Sequence, residues 1–203
     1  MVKALVFDIG GVLIGLDTKR CIKAFEDGLG FSRITELLDP CHQKGIYGEM
    51  EAGDVTAGEF VSFVISESRP GVTPQDVKNA MSALLTGMPE GAADTVKRLA
   101  AKYPLYLLSN NNSISMTHIY RIMENSGIIH DEVFRDEFLS YRMKLLKPSL
   151  EIYQEAARRS GFAAGELLFI DDNLANVEAA RAAGWQARHY VPGTSLAKLL
   201  EDL

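Results

Sequence analysis

The chain has 203 residues, of which 47% are hydrophobic and 24% are charged, a composition typical of a folded globular protein rather than a disordered one. Its formal net charge of −6 argues against a nucleic-acid partner, because neutralising a phosphate backbone requires a basic face. No apolar run approaches the roughly 18 residues that span a bilayer, and the first residues lack the pattern of a signal peptide, so we expect a cytoplasmic protein with no membrane partner.

The chain begins with an apolar segment, residues 2–7, which predicts a buried β-strand. Asp8 follows this strand at once, and the glycine pair Gly10 and Gly11 comes next. Because carboxylates are almost never fully buried without a partner, we expect Asp8 to meet water, a cation or a substrate. Taken by itself, Asp8 could equally be a simple turn cap.

Residues 17–88 show helical patterns and no convincing strand. Thr56 and Glu59 have the spacing of a capping box, and Thr73 followed by Pro74 marks another helix start. The predicted helices of this segment are 18–25, 31–38, 40–47, 56–66 and 73–84. We therefore predict that residues 17–88 form a small helical bundle inserted after the first strand.

The pattern becomes alternating after Pro89, with helices separating short apolar strands. Strands are predicted at 105–108, 167–170 and 186–191. Helices are predicted at 90–102, 113–124, 147–160 and 195–203, and one more helix follows the strand 167–170 and ends at Ala183. The stretch 134–140 is compatible with either a short strand or an irregular crossing. This order predicts an α/β fold, a Rossmann-like parallel sheet with helices on both faces, formed by residues 1–16 and 89–203.

Polar residues follow three of the predicted strands. Asp8 follows the first, Ser109 comes just after 105–108, and Asp171 and Asp172 come just after 167–170. The carboxyl ends of parallel strands meet along one edge of a sheet, where ligands bind. Carboxylates crowded together require a cation, and oxygen ligands of this type suit Mg²⁺. For each residue alone, helix capping or turn chemistry remains the alternative.

The chain contains four short motifs, which are Phe7-Asp8-x-Gly-Gly-Val, Leu107-Leu108-Ser109-Asn110, Lys147-Pro148, and Phe169-Ile170-Asp171-Asp172-Asn173 with Asn176 further on. In this order, the motifs resemble those of the haloacid dehalogenase-like (HAD) hydrolases. The resemblance spans the chain and favours the phosphatase branch with a small helical cap, which includes glucose-1-phosphate phosphatases and the phosphatase domain of soluble epoxide hydrolases.

This resemblance implies roles for four residues in covalent catalysis. Asp8 would be the nucleophile that attacks phosphorus and forms an aspartyl phosphate. Ser109, helped by Asn110, would bind the phosphoryl oxygens, and Lys147 would neutralise charge on both the phosphate and the attacking carboxylate.

The resemblance also implies a Mg²⁺ site. Asp8, the backbone carbonyl of Gly10 and Asp172 would hold the ion, with Asp171 contributing directly or through water. Most phosphatases of the family carry an aspartate that acts as general acid and base where this chain has Gly10. A water molecule or a cap residue such as His42 or Glu49 is a candidate replacement.

These observations lead to one main hypothesis and two alternatives. We expect a Mg²⁺-dependent phosphatase, monomeric or homodimeric, that acts on a small phosphorylated metabolite, with a sugar phosphate as one candidate. Residues 45–53, rich in glycine, are a candidate substrate-facing loop. A 2-haloacid dehalogenase would use the same Asp8 without a metal. A binding or regulatory protein that has kept the fold and lost rapid chemistry is the second alternative, suggested by Gly10.

Overall fold

The structure is a computed structural model, and it describes residues 1–38 and 44–203. The predicted helix 40–47 lies partly, and His42 wholly, outside these residues. The strands are β1 (Ala4–Phe7), β2 (Gly15–Leu16), β3 (Leu85–Gly87), β4 (Leu105–Ser109), β5 (Phe134–Leu139), β6 (Leu167–Asp171) and β7 (Gln186–His189). The helices are α1 (Thr18–Leu29), α2 (Ile34–Leu37), α3 (Gly45–Ala52), α4 (Ala57–Ser66), α5 (Pro74–Ser82), α6 (Ala92–Ala100), α7 (Ser113–Asn125), α8 (His130–Val133), α9 (Ser140–Met143), α10 (Leu150–Ser160), α11 (Leu174–Ala182) and α12 (Leu196–Leu199). A short 3₁₀ turn, Ala164–Glu166, precedes β6.

Five strands form one parallel sheet in the order β5-β4-β1-β6-β7. Strand β1 is central, with Phe7 opposite Leu107 of β4 on one side and opposite Ile170 of β6 on the other. The predicted α/β fold with a parallel sheet is therefore confirmed, and all five strands end at the same edge.

The sheet is covered on both faces, which explains why its strands are continuously apolar. Successive side chains of β1 point to opposite faces. Leu5 and Phe7 belong to one buried cluster with residues of α6 and α7. Ala4 and Val6 belong to another with residues of α10 and α11. Both layers hold β1 firmly, so the residue that follows it has a fixed position.

Helices α1 to α5 share a hydrophobic core, which also includes Ile114 of α7. Its largest members are aromatic, with Phe25 and Phe31 at 5.9 Å and Tyr47 and Phe60 at 5.4 Å between ring centroids. The predicted helix starts are confirmed at two places, because Thr56 and Thr73 each cap their helix in a capping box. This helical unit therefore packs against α7 beside the sheet.

Two short strands connect the helical unit to the sheet, a feature that the sequence analysis missed. Gly15–Leu16 and Leu85–Gly87 pair as an antiparallel ribbon, so the prediction of no strand between residues 17 and 88 is wrong for β3. The chain therefore enters the helical unit and leaves it again through the same two-stranded ribbon. The ambiguous stretch 134–140 forms strand β5, at the edge of the sheet.

The prediction of a loop at residues 45–53 is also wrong. Residues 45–52 form helix α3, which ends at Gly53 in the left-handed conformation. Tyr47 and Met50 are buried in the core of the helical unit. Their burial outweighs the low helix propensity of the glycines in this stretch. Over residues 1–38 and 44–203, no helix combines the length and apolar character needed to cross a membrane.

Candidate active site

The predicted site residues come together at the carboxyl edge of the sheet. Asp8 directly follows β1, Ser109 is the last residue of β4, and Asp171 is the last residue of β6. Lys147 reaches them from the loop that precedes α10. All four are buried, so their charges interact in an environment that screens them weakly.

Lys147 joins two carboxylates. Its Nζ lies 3.0 Å from Oδ1 of Asp8 and 2.6 Å from Oδ2 of Asp171. Burial by itself would lower the pKa of the Lys147 ammonium, but Asp171 and Asp8 together raise it well above its ordinary value. Burial raises the pKa of the Asp8 carboxyl to about 7, and Lys147 acts in the opposite direction. The lysine is therefore a permanent positive charge beside a carboxylate that is costly to ionise.

Asp171 is fully engaged by donors of the protein. Besides Lys147, its carboxylate accepts hydrogen bonds from the backbone N–H of Asn173 at 2.7 Å and from Nδ2 of Asn176 at 3.1 and 3.2 Å. No part of this carboxylate is exposed. These bonds hold Asp171 in one orientation and make it the anchor for the lysine.

Asp172 faces the same site from the first residue beyond β6. Carboxylate oxygens of Asp8, Asp171 and Asp172 lie within 4.8 Å of one another. Burial raises the pKa of Asp172, and the neighbouring charge of Asp171 adds to that effect. Three hard oxygen donors this close fit a small divalent cation, which would relieve their mutual repulsion.

Gly11 makes room for the Asp172 carboxylate. A Cβ atom at Gly11 would lie 2.0 Å from Oδ2 of Asp172, and its φ of +77° is a left-handed value. Both facts require glycine here. The second glycine of the sequence motif therefore permits the close approach of the loop after β1 to the loop after β6.

Ser109 and Asn110 differ in what they can offer a ligand. The Ser109 hydroxyl donates only a long hydrogen bond of 3.3 Å, to the carbonyl of Asn110. The Asn110 side chain is already used, since its Oδ1 accepts from the backbone N–H of Lys147 at 2.8 Å and its Nδ2 donates to the Lys147 carbonyl at 3.0 Å. The geometry makes Asn110 the residue that positions the lysine loop, while Ser109 remains available.

A cavity of about 430 Å³ opens above these residues. Asp8, Lys147 and Asp172 line it from the sheet edge, and Tyr47 and Glu51 line it from helix α3. The helical unit thus contributes part of the wall of the same cavity. A space of this size suits a small metabolite.

Two titratable residues of the cavity wall, Glu51 and His189, were not singled out from the sequence, although Glu51 lies within the stretch 45–53. Glu51 is buried there, whereas Glu49, the residue named from the sequence, is exposed and does not line the cavity. The four-residue spacing of Glu51 and Tyr47 places both on one helix face and was the signal available. His189 also lines the cavity, with Nε2 at 2.9 Å from the Asp172 carbonyl oxygen.

Comparisons with known proteins give a consistent family assignment. A family model described as haloacid dehalogenase-like hydrolase matches residues 2–184. A D-ribitol-5-phosphate phosphatase of Bacteroides thetaiotaomicron is 29% identical over 187 residues, which cover 92% of this chain and 90% of that protein.

Two solved structures extend the comparison to three dimensions. The first is a mutant HAD family enzyme of Bacteroides thetaiotaomicron in complex with magnesium and inorganic phosphate. It is 30% identical, with a TM-score of 0.92 and coverage of 98% of this chain and 99% of that chain. The second is a predicted HAD-like family hydrolase of Porphyromonas gingivalis. It is 30% identical, with a TM-score of 0.89 and coverage of 100% of this chain and 97% of that chain.

Proposed function

The chain belongs to the haloacid dehalogenase-like hydrolases and is a phosphatase of that family, and from this premise we propose that it hydrolyses a small sugar or polyol phosphate. The observation that carries the proposal is the buried group in which Lys147 lies between Asp8 and Asp171. A phosphate ester brings negative charge to a carboxylate that must attack it. The permanent charge of Lys147 reduces the repulsion between the two.

Asp8 is the proposed nucleophile. Its Oδ1 already interacts with Lys147 Nζ and accepts the backbone N–H of Ile9 at 2.7 Å. Within residues 1–38 and 44–203, Oδ2 has no hydrogen-bond donor, so we assign the attack on phosphorus to Oδ2. The bonds at Oδ1 fix the direction of approach, and positioning is the main requirement of phosphoryl transfer.

Ser109 and Lys147 are the proposed phosphate-binding residues. The Ser109 hydroxyl gives up little when it turns from its 3.3 Å bond to a phosphoryl oxygen. Asn110 acts in this proposal mainly through its side-chain bonds to the Lys147 backbone.

Mg²⁺ is the proposed cofactor. Asp8, Asp172 and the carbonyl oxygen of Gly10 would hold it, and the fit of the three clustered carboxylates to a hard cation supports this. Both oxygens of Asp171 already accept hydrogen bonds, which favours a contribution through water. When bound, the ion supplies positive charge that stabilises the transferring phosphoryl group.

The helical unit is the proposed cap. We propose that residues 17–88 form it, and that residues 1–16 and 89–203 form the core that carries out the chemistry. Tyr47 and Glu51 of α3 reach the cavity, so the cap is in place to select the substrate. The named activity of the Bacteroides relative supports a polyol phosphate as substrate.

Removal of the metal should abolish hydrolysis. We expect chelation with EDTA to stop release of inorganic phosphate from D-ribitol 5-phosphate and related esters, and added Mg²⁺ to restore it. Without a cation, the three carboxylates repel both the substrate and one another. The measurement is phosphate release across a panel of sugar and polyol phosphates.

The same assay separates the proposal from a dehalogenase. Chloroacetate in place of the phosphate ester should give no halide release. Metal-independent halide release, together with no phosphate release from any ester of the panel, would overturn the proposal.

Gly11→Ala should weaken the proposed metal site. The new Cβ would overlap the Asp172 carboxylate, whose Oδ2 would be only 2.0 Å away, so this carboxylate must turn aside. We expect the Mg²⁺ concentration for half-maximal activity to rise by about 10-fold or more, by analogy with residues that orient metal ligands. Titration of activity with Mg²⁺ measures the effect.

Gly161→Ala is the matched control. Gly161 has a φ of +76°, close to that of Gly11, and no heavy atom lies within 4 Å of a Cβ placed there. Both variants should therefore lose stability, by roughly 1–3 kcal/mol for the left-handed backbone. Only Gly11→Ala should change the Mg²⁺ requirement, and equal requirements in the two variants would contradict the prediction.

A further inference from the structure

The Glu51 carboxyl lines the cavity from helix α3. Its residue is only 8% exposed, yet in the described parts of the chain its carboxyl oxygens form no hydrogen bond or ion pair. Burying a carboxyl without a partner is costly, so such a group is retained when a ligand or a reaction uses it. Burial, with the charge of Asp8 adding to it and Lys147 opposing it, raises the pKa of Glu51 to about 8. Burial in this cavity therefore favours the protonated form of the Glu51 carboxyl.

The end of helix α3 is fixed onto the core beside the phosphate-binding residues. The Ser140 hydroxyl donates to the Glu51 carbonyl at 2.6 Å and accepts the backbone N–H of Asn111 at 3.0 Å. Asn111 lies two residues after Ser109. A single core hydroxyl thus ties the backbone of Glu51 to the loop that follows β4.

Gly53 allows this close docking. A Cβ at Gly53 would lie 2.4 Å from the carbonyl oxygen of Tyr141, the residue next to Ser140. The helix end therefore lies against the core backbone. Glu51 faces the cavity from a position set by the core rather than by the cap alone.

Gly10 lies two residues after Asp8 and has no side chain. The position where the family resemblance leads us to expect a general acid and base therefore supplies no proton. Tyr47, the other cap residue on this face, is a poor substitute, because burial raises the pKa of its hydroxyl well above the ordinary value. Glu49 is exposed outside the cavity. We propose that Glu51 of the cap is the general acid and base of the reaction, a role that rests on the proposed phosphatase function.

The proton balance of the proposed reaction closes over its two steps. In the first, Oδ2 of Asp8 bonds to phosphorus, the bond from phosphorus to the ester oxygen breaks, and that oxygen takes the electron pair and the proton of Glu51. The alcohol leaves, and Glu51 becomes a carboxylate. In the second, Glu51 takes a proton from water as the water oxygen bonds to phosphorus. The bond to Asp8 breaks, which releases inorganic phosphate and restores both carboxyl groups.

Glu51→Gln tests this role with two leaving groups. The amide keeps the size of the side chain and has no acidic proton. For a polyol phosphate, whose alkoxide leaves poorly, we expect kcat/KM to fall by about 10²-fold or more, within the usual range for loss of general acid catalysis. For p-nitrophenyl phosphate, whose leaving group needs no proton, kcat/KM should fall by less than about 10-fold by the same reasoning.

The second half of the reaction gives another signature. In Glu51→Gln, p-nitrophenol should be released in a rapid burst equal to the enzyme concentration, followed by slow steady-state release. The second phase is slow because hydrolysis of the aspartyl phosphate has lost its general base. Glu49→Gln, on the exposed side of the same helix, is the control and should behave as wild type with both substrates. Equal losses of kcat/KM on the two substrates, or none, would overturn the proposal.

Restoring a carboxylate at Gly10 gives an independent test. The nearest heavy atoms to a Cβ at Gly10 belong to the Leu16 side chain, at 3.4 Å and beyond, and the backbone is not left-handed, so a side chain can start there without strain. The Glu51→Gln/Gly10→Asp double variant should regain at least about 10-fold in kcat/KM for the polyol phosphate, part of the general acid contribution. No recovery, with the single Gly10→Asp variant still active, would count against the role of Glu51.

Failure of the phosphatase function itself has a different outcome. If the wild-type protein with Mg²⁺ hydrolyses neither substrate, the proposed function fails. If the wild-type protein hydrolyses both substrates and Glu51→Gln loses the same factor in kcat/KM on each, or loses nothing, only the role of Glu51 is overturned.

Discussion

Asp8→Asn is expected to reduce kcat by at least about 10⁴-fold on every phosphate ester, the largest effect of any single substitution in the chain. The amide is not a nucleophile, so no aspartyl phosphate forms. The substitution also removes one negative charge from the proposed metal site. The geometry otherwise remains, because asparagine has the size and shape of aspartate.

The loss should be independent of the leaving group. A nucleophile is required whichever alcohol departs, so the polyol phosphate and p-nitrophenyl phosphate should suffer alike, in contrast to Glu51→Gln. Mass spectrometry of rapidly quenched wild-type protein should show a phosphoryl adduct on the peptide that contains Asp8, and the variant should show none. Asp131→Asn, an exposed aspartate, is the matched control and should retain full activity. More than 1% residual activity in Asp8→Asn, a bound far looser than the expected loss, would exclude the nucleophile role.

Lys147→Met is expected to lower both stability and activity. The lysine neutralises two buried carboxylates, with distances of 3.0 Å to Asp8 and 2.6 Å to Asp171. Removing one partner of such a group leaves uncompensated buried charge, so the metal-free protein should lose about 3–5 kcal/mol of its free energy of unfolding at pH 8. Loss of the positive charge should also reduce kcat by about 10²-fold or more.

The stability loss should depend on pH with a definite sign. In the wild type, Lys147 acts to lower the pKa of Asp8, so in the variant this pKa rises beyond about 7. As the pH falls from 8 to 6, the folded variant then binds a proton on Asp8, whereas the unfolded chain binds it only near its ordinary pKa of 3.8. Because the folded state binds the extra proton, the free energy of unfolding that the variant has lost relative to wild type should become smaller as the pH falls.

Urea unfolding of the metal-free protein at the two pH values measures this effect. Lys19→Met, an exposed lysine on α1, is the control and should change the free energy of unfolding by less than about 0.5 kcal/mol. A deficit of the same size at pH 8 and pH 6 would contradict the assignment of the loss to Asp8.

The sheet and the cluster of carboxylates could be predicted from the sequence because topology decides them. Once 2–7, 105–108 and 167–170 are parallel strands, the residues just beyond them must meet at one edge. The register confirms this, with Phe7 opposite both Leu107 and Ile170. No detail of side-chain packing was needed for that step.

Other features depend on packing between distant segments. The side-chain amide of Asn110 holds the Lys147 backbone 37 residues away, and no local pattern indicates that pairing. Strand β5 contains Arg135, Asp136 and Glu137, so its edge position hides the apolar signal of a strand. Strands β2 and β3 are too short to show the alternation of apolar and polar residues that marks a strand.

Helix α3 shows how tertiary contacts override local preference. Its glycines indicated a loop, yet Tyr47 and Met50 anchor it in the core of the helical unit. The error in secondary structure led directly to the error in the site. On a loop, Glu49 and Glu51 are equivalent, whereas on the helix only Glu51 faces the cavity.

The paired linkers β2 and β3 have a consequence for how such enzymes diverge. The chain leaves and re-enters the core through one ribbon. Recombination at the two ribbon strands, which are distant in sequence and adjacent in space, could therefore replace the whole helical unit. A core that keeps aspartate at the position of Gly10 would acquire a new substrate range and retain its own acid. Here, with Glu51 in the exchanged segment, substrate choice and proton supply would be inherited together.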